Sequence, residues 1–281
     1  MSVRIVHDNY GKSRVRLMKV ARDGARHELQ NLTFNIALEG DFDAIHTVGD
    51  NSLCLPTDTM KNTVYALAGE TQEIEAIEAF GQRLATHFLT NNAQISRITI
   101  DIFETAWKRM KFDGKEHDHL FIKGSGEKRT AKITAGRDIV TVESGVEDLI
   151  VLKTTDSGFV GFIKDAYTTL PETTDRIFST AIKATWRYSN VDAVTDAVFQ
   201  NIRQTILKVF AEHDSLSVQH TLYAIGEAIL DQFGEVEEIA FSLPNIHCIP
   251  VDMTKFGQTN DNRIFVPTDE PHGLIEARLT R

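Results

Sequence analysis

Residues 93–110 read "AQISRITIDIFETAWKRM". Ile98, Ile100 and Ile102 fall on one side of this stretch, and Arg97, Thr99 and Asp101 on the other. A strict period of two marks a strand with one face in a core and the other in a polar setting. A helix would spread the three isoleucines around its axis instead. Downstream, "HDHLFIKG" reads as the returning partner strand. Upstream, residues 71–90 place Ile74, Ile77, Phe80, Leu84 and Phe88 at spacings of three and four, which predicts a helix. Further upstream, Val15 and Leu17 alternate with Arg14 and Arg16, and "LQNLTFNIALEG" alternates again after an Asp23-Gly24 turn, so a long hairpin opens the chain.

The second half repeats this plan. "RTAKITAGRDIVTVESGVEDLIVLKTT" supplies two strands and "STAIKATWRY" an extra one. Val191, Val194, Val198, Ile202, Ile206 and Val209 form a helical stripe over 191–212, and a further helix opens at Ser217. "EVEEIAFSLPNIHCIPVD" is a strand running into a loop, and "RIFVPTDEPHG" closes the chain. The order is strand, strand, helix, helix, strand, strand, twice over. This predicts an α+β fold of tandem ββααββ units, residues 1–126 and 127–281, with "GSGEK" at the boundary or as a hairpin turn. Antiparallel sheets with helices on one face leave strand edges open, and barrel formation through oligomerisation closes such edges.

With 281 residues, 42% hydrophobic and 25% charged, the chain has the composition of a soluble globular protein. A net charge of −10 argues against a nucleic-acid surface, although a pocket can still be locally positive. Cys54 and Cys248 are the only cysteines, which fits a reducing compartment without a disulfide framework. No run of about 18 apolar residues spans a membrane, and the first residues lack the apolar core of a signal peptide. A cytoplasmic protein is expected.

The sequence contains no phosphate-binding loop, no H-E-x-x-H and no C-x-x-C. His117 and His119 share a strand face and read as solvated histidines. His247 and Cys248 with distant Cys54 offer only a weak zinc pattern. "LPTDTMKNTVYALA", residues 55–68, puts a polar tip on a helix from Thr57 to Ala68, where Thr57 or Asp58 would serve as a cap. Residues 152–180, "LKTTDSGFVGFIKDAYTTLPETTDRIFST", are rich in Thr, Gly and aromatic residues without clear periodicity, and long irregular segments often carry function.

This block, with "NYGKSRVR", "TDTMKNTVYALA", "SVQHTLYAIG" and "LPNIHCIPVD", resembles the urate oxidase (uricase) family, in the family's order from residue 9 to residue 252. The resemblance implies a cofactor-free, metal-free oxidase that converts urate and molecular oxygen to 5-hydroxyisourate and hydrogen peroxide. Arg176 and Gln219 would grip opposite edges of the purine, the guanidinium with a planar fork and the amide with one donor and one acceptor. Phe159 would stack on the ring and the backbone N–H of Val218 would add a donor. Lys12 would take a proton from Thr57, which relays one from urate; a lysine acts so only in its neutral form. Asp58 would offer its backbone N–H. Asn245 would hold oxygen or water over the ring, and His247 would shuttle a proton. By base rate alone, these residues would be an exposed lysine, a surface arginine, a core phenylalanine, a cap and a loop asparagine; the resemblance is what singles them out. It also implies a homotetramer with Thr57 and Asp58 from one subunit and Arg176 and Gln219 from another. Two alternatives stand beside it: a zinc-using enzyme of the same ββααββ architecture acting on a pterin-like heterocycle, and a purine-binding protein without catalysis.

Overall fold

In the computed structural model, residues 3–281 are described. The opening hairpin pairs β1 (Tyr10–Asp23) with β2 (Arg26–Gly40), and Gly24 takes the left-handed conformation its turn requires (φ 60°). After a short helix α1 (Asp43–Thr47) come α2 (Thr57–Gly69) and α3 (Ile77–Asn91). Strands β3 (Ile95–Phe112) and β4 (Lys115–Gly136) follow, and β2, β3 and β4 pair antiparallel in sequence order. The alternation at 93–110 is realised as expected: Ile98, Ile100 and Ile102 are fully buried. Leu32, Phe34, Ile36 and Leu38 of β2 stand on the same inner face, and α3 lays Phe80, Leu84 and Phe88 over it. Helix α2 lies against β1.

The plan is repeated by β5 (Val140–Lys153), β6 (Phe178–Tyr188), α4 (Asp196–Glu212), α5 (Val218–Gln232), β7 (Val236–Pro250) and β8 (Phe265–Thr280). Strands β6, β7 and β8 pair antiparallel. Trp186 of β6 stacks on Phe199 of α4 at 5.7 Å, and α5 packs on β7 and β8. The tandem ββααββ order is therefore observed, with helices on one face of each set of strands. Among the described residues, no helix is long and apolar enough to cross a membrane.

Five details differ from the sequence expectation. "GSGEK" is no boundary and no hairpin turn; it lies within β4. Thr105 pairs with Lys128 and Trp107 with Lys123, so residues 124–127 stand opposite Ala106 as a bulge. The compact units divide elsewhere than 126/127: the first holds residues up to Gly145 with Asn190–Asp196, the second Val146–Ser189 with Ala197–Arg281. "STAIKATWRY" is not an extra strand but the regular second strand of the second unit, because "HDHLFIKG" and "RTAKITAG" are one continuous β4. Helix α3 begins at Ile77 rather than near 71: Ala76 is already extended (ψ 140°), and the Glu75 carbonyl accepts from the Gln30 side chain (3.0 Å). Finally, the stripe starting at Val191 is split into a 3-10 turn (Val191–Ala193) and α4.

One ionic cluster reaches from the interior of the first unit to its surface at Asp196. The Glu78 carboxylate, fully buried, accepts from Arg129 Nη2 (2.6 Å) and from the Ser144 hydroxyl, while Arg129 Nη1 reaches Asp196 (2.6 Å). Burial pushes the neighbouring Glu104 carboxyl up, against the pull of Arg129. The cluster ties α3 and β4 to the segment 190–196. Arg129→Met leaves Glu78 charged and unpaired in the interior, which costs about 3–5 kcal/mol. The expected result is a lowered urea midpoint with an unchanged slope.

Candidate active site

The expected site residues fall into two groups, each within one unit. In the first unit, Gly11 allows β1 to approach β2 closely: a Cβ there would stand 1.7 Å from the Ile36 carbonyl oxygen. Lys12 follows, half-buried and paired with Ile36, and directly after it the register shifts. At that shift Arg14 takes a left-handed conformation (φ 59°) while its N–H donates to Asn35 Oδ1 (2.9 Å). Lys12 is thus carried on a strand distorted just past it.

The helix tip corrects the capping expectation. The N-cap of α2 is Pro56, and neither Thr57 nor Asp58 makes a capping hydrogen bond. The Asp58 carboxylate turns along its own helix to Lys61 Nζ (2.5 Å) and Asn62 Nδ2 (2.9 Å). It lies below the ordinary carboxylate range chiefly through the Lys61 hydrogen bond, with Asn62 and the charge of Lys12 adding to it. The first turn bond runs from the Met60 N–H to the Pro56 carbonyl (3.3 Å). The backbone N–H groups of Thr57, Asp58 and Thr59 precede the ladder, and a proline cap has no side-chain oxygen to satisfy them. Polar donors and a hydroxyl are therefore presented together at the positive end of a helix.

In the second unit, the irregular block between β5 and β6 is held by short backbone pairings. Gly158 N–H donates to the Ser215 carbonyl (2.8 Å), and Phe159 and Thr173 exchange both backbone bonds (2.7 and 3.1 Å). The second pairing folds the block back so that the Arg176 guanidinium lies 5.4 Å from the Phe159 ring centroid. Arg176 is half-buried and has no ion-pair partner among the described residues; burial lowers its pKa from the ordinary value. Val218 and Gln219 open α5 behind the cap Ser217, whose hydroxyl accepts from the His220 N–H (3.1 Å). Val218 is buried and Gln219 exposed. Asn245 of β7 stands opposite Thr180 of β6 and Gly273 of β8. His247 pairs with Thr268, and the β7–β8 register shifts between the two site residues. The loop expected at "LPNIHCIPVD" is thus strand as far as Pro250.

Sequence reasoning passed over two residues here. The Tyr10 hydroxyl accepts from the Leu55 N–H (2.8 Å) and its ring meets Phe42 edge-on at 4.8 Å, linking the strand of Lys12 to the approach of Thr57. Burial, with Cys54 adding, pushes this phenol up to about 12. Phe162 stacks on Phe159 at 4.8 Å and 12°. Both sit within the singled-out blocks, two residues from Lys12 and three from Phe159, and that proximity was the available signal. His117 and His119 meet edge to face at 4.7 Å. Among the described residues, no group of three or more His, Cys, Asp or Glu side chains is placed to hold a metal ion.

The uricase family model matches residues 8–134 and 142–276, two segments whose gap contains the turn between β4 and β5. Uricase from Arthrobacter globiformis is 43% identical over 98% of this chain and 89% of its own length. Uricase from Danio rerio is 38% identical over 100% of this chain and 96% of its own. The crystal structure of the Arthrobacter globiformis Uricase superposes with a TM-score of 0.95 at 43% identity, covering 100% of this chain and 96% of that one. Bacillus sp. TB-90 Urate Oxidase superposes with a TM-score of 0.85 at 26% identity over 98% of this chain and 100% of that one.

Tyr10→Phe leaves the Leu55 N–H without its acceptor. A cost of about 1–3 kcal/mol is expected in equilibrium unfolding, and Leu55 amide hydrogen exchange should speed up in the folded protein.

Proposed function

The chain belongs to the uricase family, and we propose that it is a urate oxidase that uses molecular oxygen directly. The observation carrying this reading is Arg176: a half-buried cation over an aromatic ring, without a carboxylate partner among the described residues. Such a guanidinium suits a planar anion that offers a carbonyl-and-nitrogen edge. Gln219 holds the opposite edge with its amide, the Val218 N–H adds a donor, and Phe159 supports the face.

Urate, once deprotonated, is electron-rich enough to be the reductant itself. Two electrons pass from the purine to oxygen, which takes two protons and leaves as hydrogen peroxide. Water adds to the oxidised ring to give 5-hydroxyisourate, so urate, oxygen and water balance against the two products. Lys12 draws the Thr57 proton, and the Thr57 hydroxyl draws one from urate. The Asp58 N–H, ahead of the α2 ladder, binds the substrate. Asn245 holds oxygen and then water over the ring, and His247 moves a proton between them and the relay. The relay needs no metal and no organic cofactor.

The two groups of residues are brought together by oligomerisation: in a homotetramer, Lys12, Thr57 and Asp58 of one subunit face Arg176 and Gln219 of another. Strands covered by helices on one face only, with open edges, support this assembly into a barrel. The free cysteines Cys54 and Cys248 support a cytoplasmic setting within purine breakdown.

The test is loss of urate absorbance with peroxide measured in parallel, in chelator-treated buffer. Both signals should appear in equal amounts; urate binding without either would make the chain a binding protein, and stoichiometric zinc lost along with activity would favour the zinc enzyme. Lys12→Met should lower kcat by on the order of a hundredfold or more and leave binding of the inert analogue 8-azaxanthine intact. Full activity in that variant would end the relay. Arg176→Ala should weaken 8-azaxanthine binding roughly 10- to 100-fold, the loss of a charge-assisted hydrogen-bonding group.

A further inference from the structure

Behind the Phe159 block runs a chain of buried hydroxyls that the chemistry above does not use. Ser157, Ser215 and Thr221 are 1%, 0% and 0% exposed. Thr221 Oγ1 lies 2.7 Å from Ser215 Oγ, Ser215 Oγ lies 3.0 Å from the Ser217 carbonyl oxygen, and His213 Nδ1 lies 3.1 Å from Thr221 Oγ1. A carbonyl only accepts, so the single Ser215 hydrogen goes to Ser217. Thr221 must then donate to Ser215, which uses its own hydrogen. The His213 contact is left with one assignment: Nδ1 carries a proton and donates to Thr221. Every hydrogen in the chain has one direction, from His213 through Thr221 and Ser215 to the cap of α5.

Both ends of this chain are anchored. The His213 N–H donates to the Val209 carbonyl at the end of α4 (3.0 Å), and its own carbonyl accepts from Lys153 at the end of β5. At the other end, Ser215 is bonded on both backbone sides to the strand that enters Phe159: its N–H donates to Asp156 (2.9 Å) and its carbonyl accepts from Gly158 (2.8 Å). Ser215 is the bridge partner of Ser157, two residues before Phe159, and stands four residues before Gln219. The ring that supports the substrate and the amide that grips its edge are therefore spaced through this one serine.

We propose that His213, Thr221 and Ser215 form a positioning device that fixes the separation between the Phe159 ring and the Val218–Gln219 helix tip. This rests on the reading that Phe159, Arg176 and Gln219 hold the substrate. None of the three touches it; they act by holding the groups that do. Removing the Thr221 hydroxyl leaves one lone pair of the buried Ser215 unsatisfied and takes the partner from the half-buried His213 Nδ1, and the strand and helix tip then shift until they find other partners.

The experiment compares Thr221→Val, the same shape without the hydroxyl, with Thr221→Ser, which restores it, in the full-length enzyme. Thr221→Val should raise KM for urate and Kd for 8-azaxanthine about tenfold, with kcat changed less than about twofold, because the proton relay lies elsewhere. Thr221→Ser should return both to within about twofold of the parent. His213→Asn, which places an amide donor near the former Nδ1, should behave like Thr221→Ser, and His213→Leu like Thr221→Val; this pair carries the test should Thr221→Val not fold. Arg176→Ala is run alongside. Weakened binding in Arg176→Ala with Thr221→Val and His213→Leu at parent values overturns the positioning device alone. A loss in Thr221→Ser as large as in Thr221→Val also overturns it. Parent-like binding in Arg176→Ala overturns the substrate site, and the device with it.

Discussion

Burial on one face only is the constraint from which the rest of this molecule follows. Each set of strands has helices against a single side, so the strand segments beneath those helices alternate. Ile98, Ile100 and Ile102 are sealed under α3, while Arg97, Thr99 and Asp101 between them stay at least partly exposed. One-sided burial makes the register unforgiving, since a slip by one residue would turn each isoleucine out of the core. The ladders are nevertheless irregular at several points, among them the bulge opposite Ala106, the shift after Lys12 and the shift between Asn245 and His247. Two of these three distortions border residues proposed to handle protons and oxygen. A distorted strand re-aims its side chains.

The two helix tips at the candidate site are built differently, and the difference tracks their roles. Helix α5 has an ordinary serine cap that satisfies His220, with buried hydroxyls reinforcing it from behind. Helix α2 has a proline there, so its first amides are not satisfied by a cap side chain. Asp58, the residue best suited to cap, has its carboxylate drawn away by Lys61 and Asn62. The α2 tip is left with hydroxyl and N–H groups and no cap side chain among them, which suits a site for an electron-rich guest.

The irregular block between β5 and β6 shows how a long loop becomes a rigid element. Few of its residues are buried, yet Phe159 and Thr173 exchange two backbone bonds, Thr155 reaches the Asp175 carboxylate, and Glu172 accepts from both Gly161 and Lys164. Phe162 covers the Phe159 ring. These contacts are local in sequence and place Arg176 and Phe159 together without help from a hydrophobic core.

The sequence by itself determined the strand and helix order, because period-two and helical spacings are local and one-sided burial forces them to be written into every segment. It also singled out the blocks that hold the candidate site, through their likeness to a family. It misjudged "GSGEK", because glycines that allow a bulge look the same as glycines that allow a turn, and only pairing with β3 tells them apart. It placed a cap at Thr57, since the spacing of polar residues does not reveal that Asp58 will bond down its own helix. Tyr10, Phe162 and the His213–Thr221–Ser215 chain were decided only by the tertiary structure. Their partners lie on other elements or across a folded loop, and no periodicity within one segment records which hydroxyl will meet which histidine.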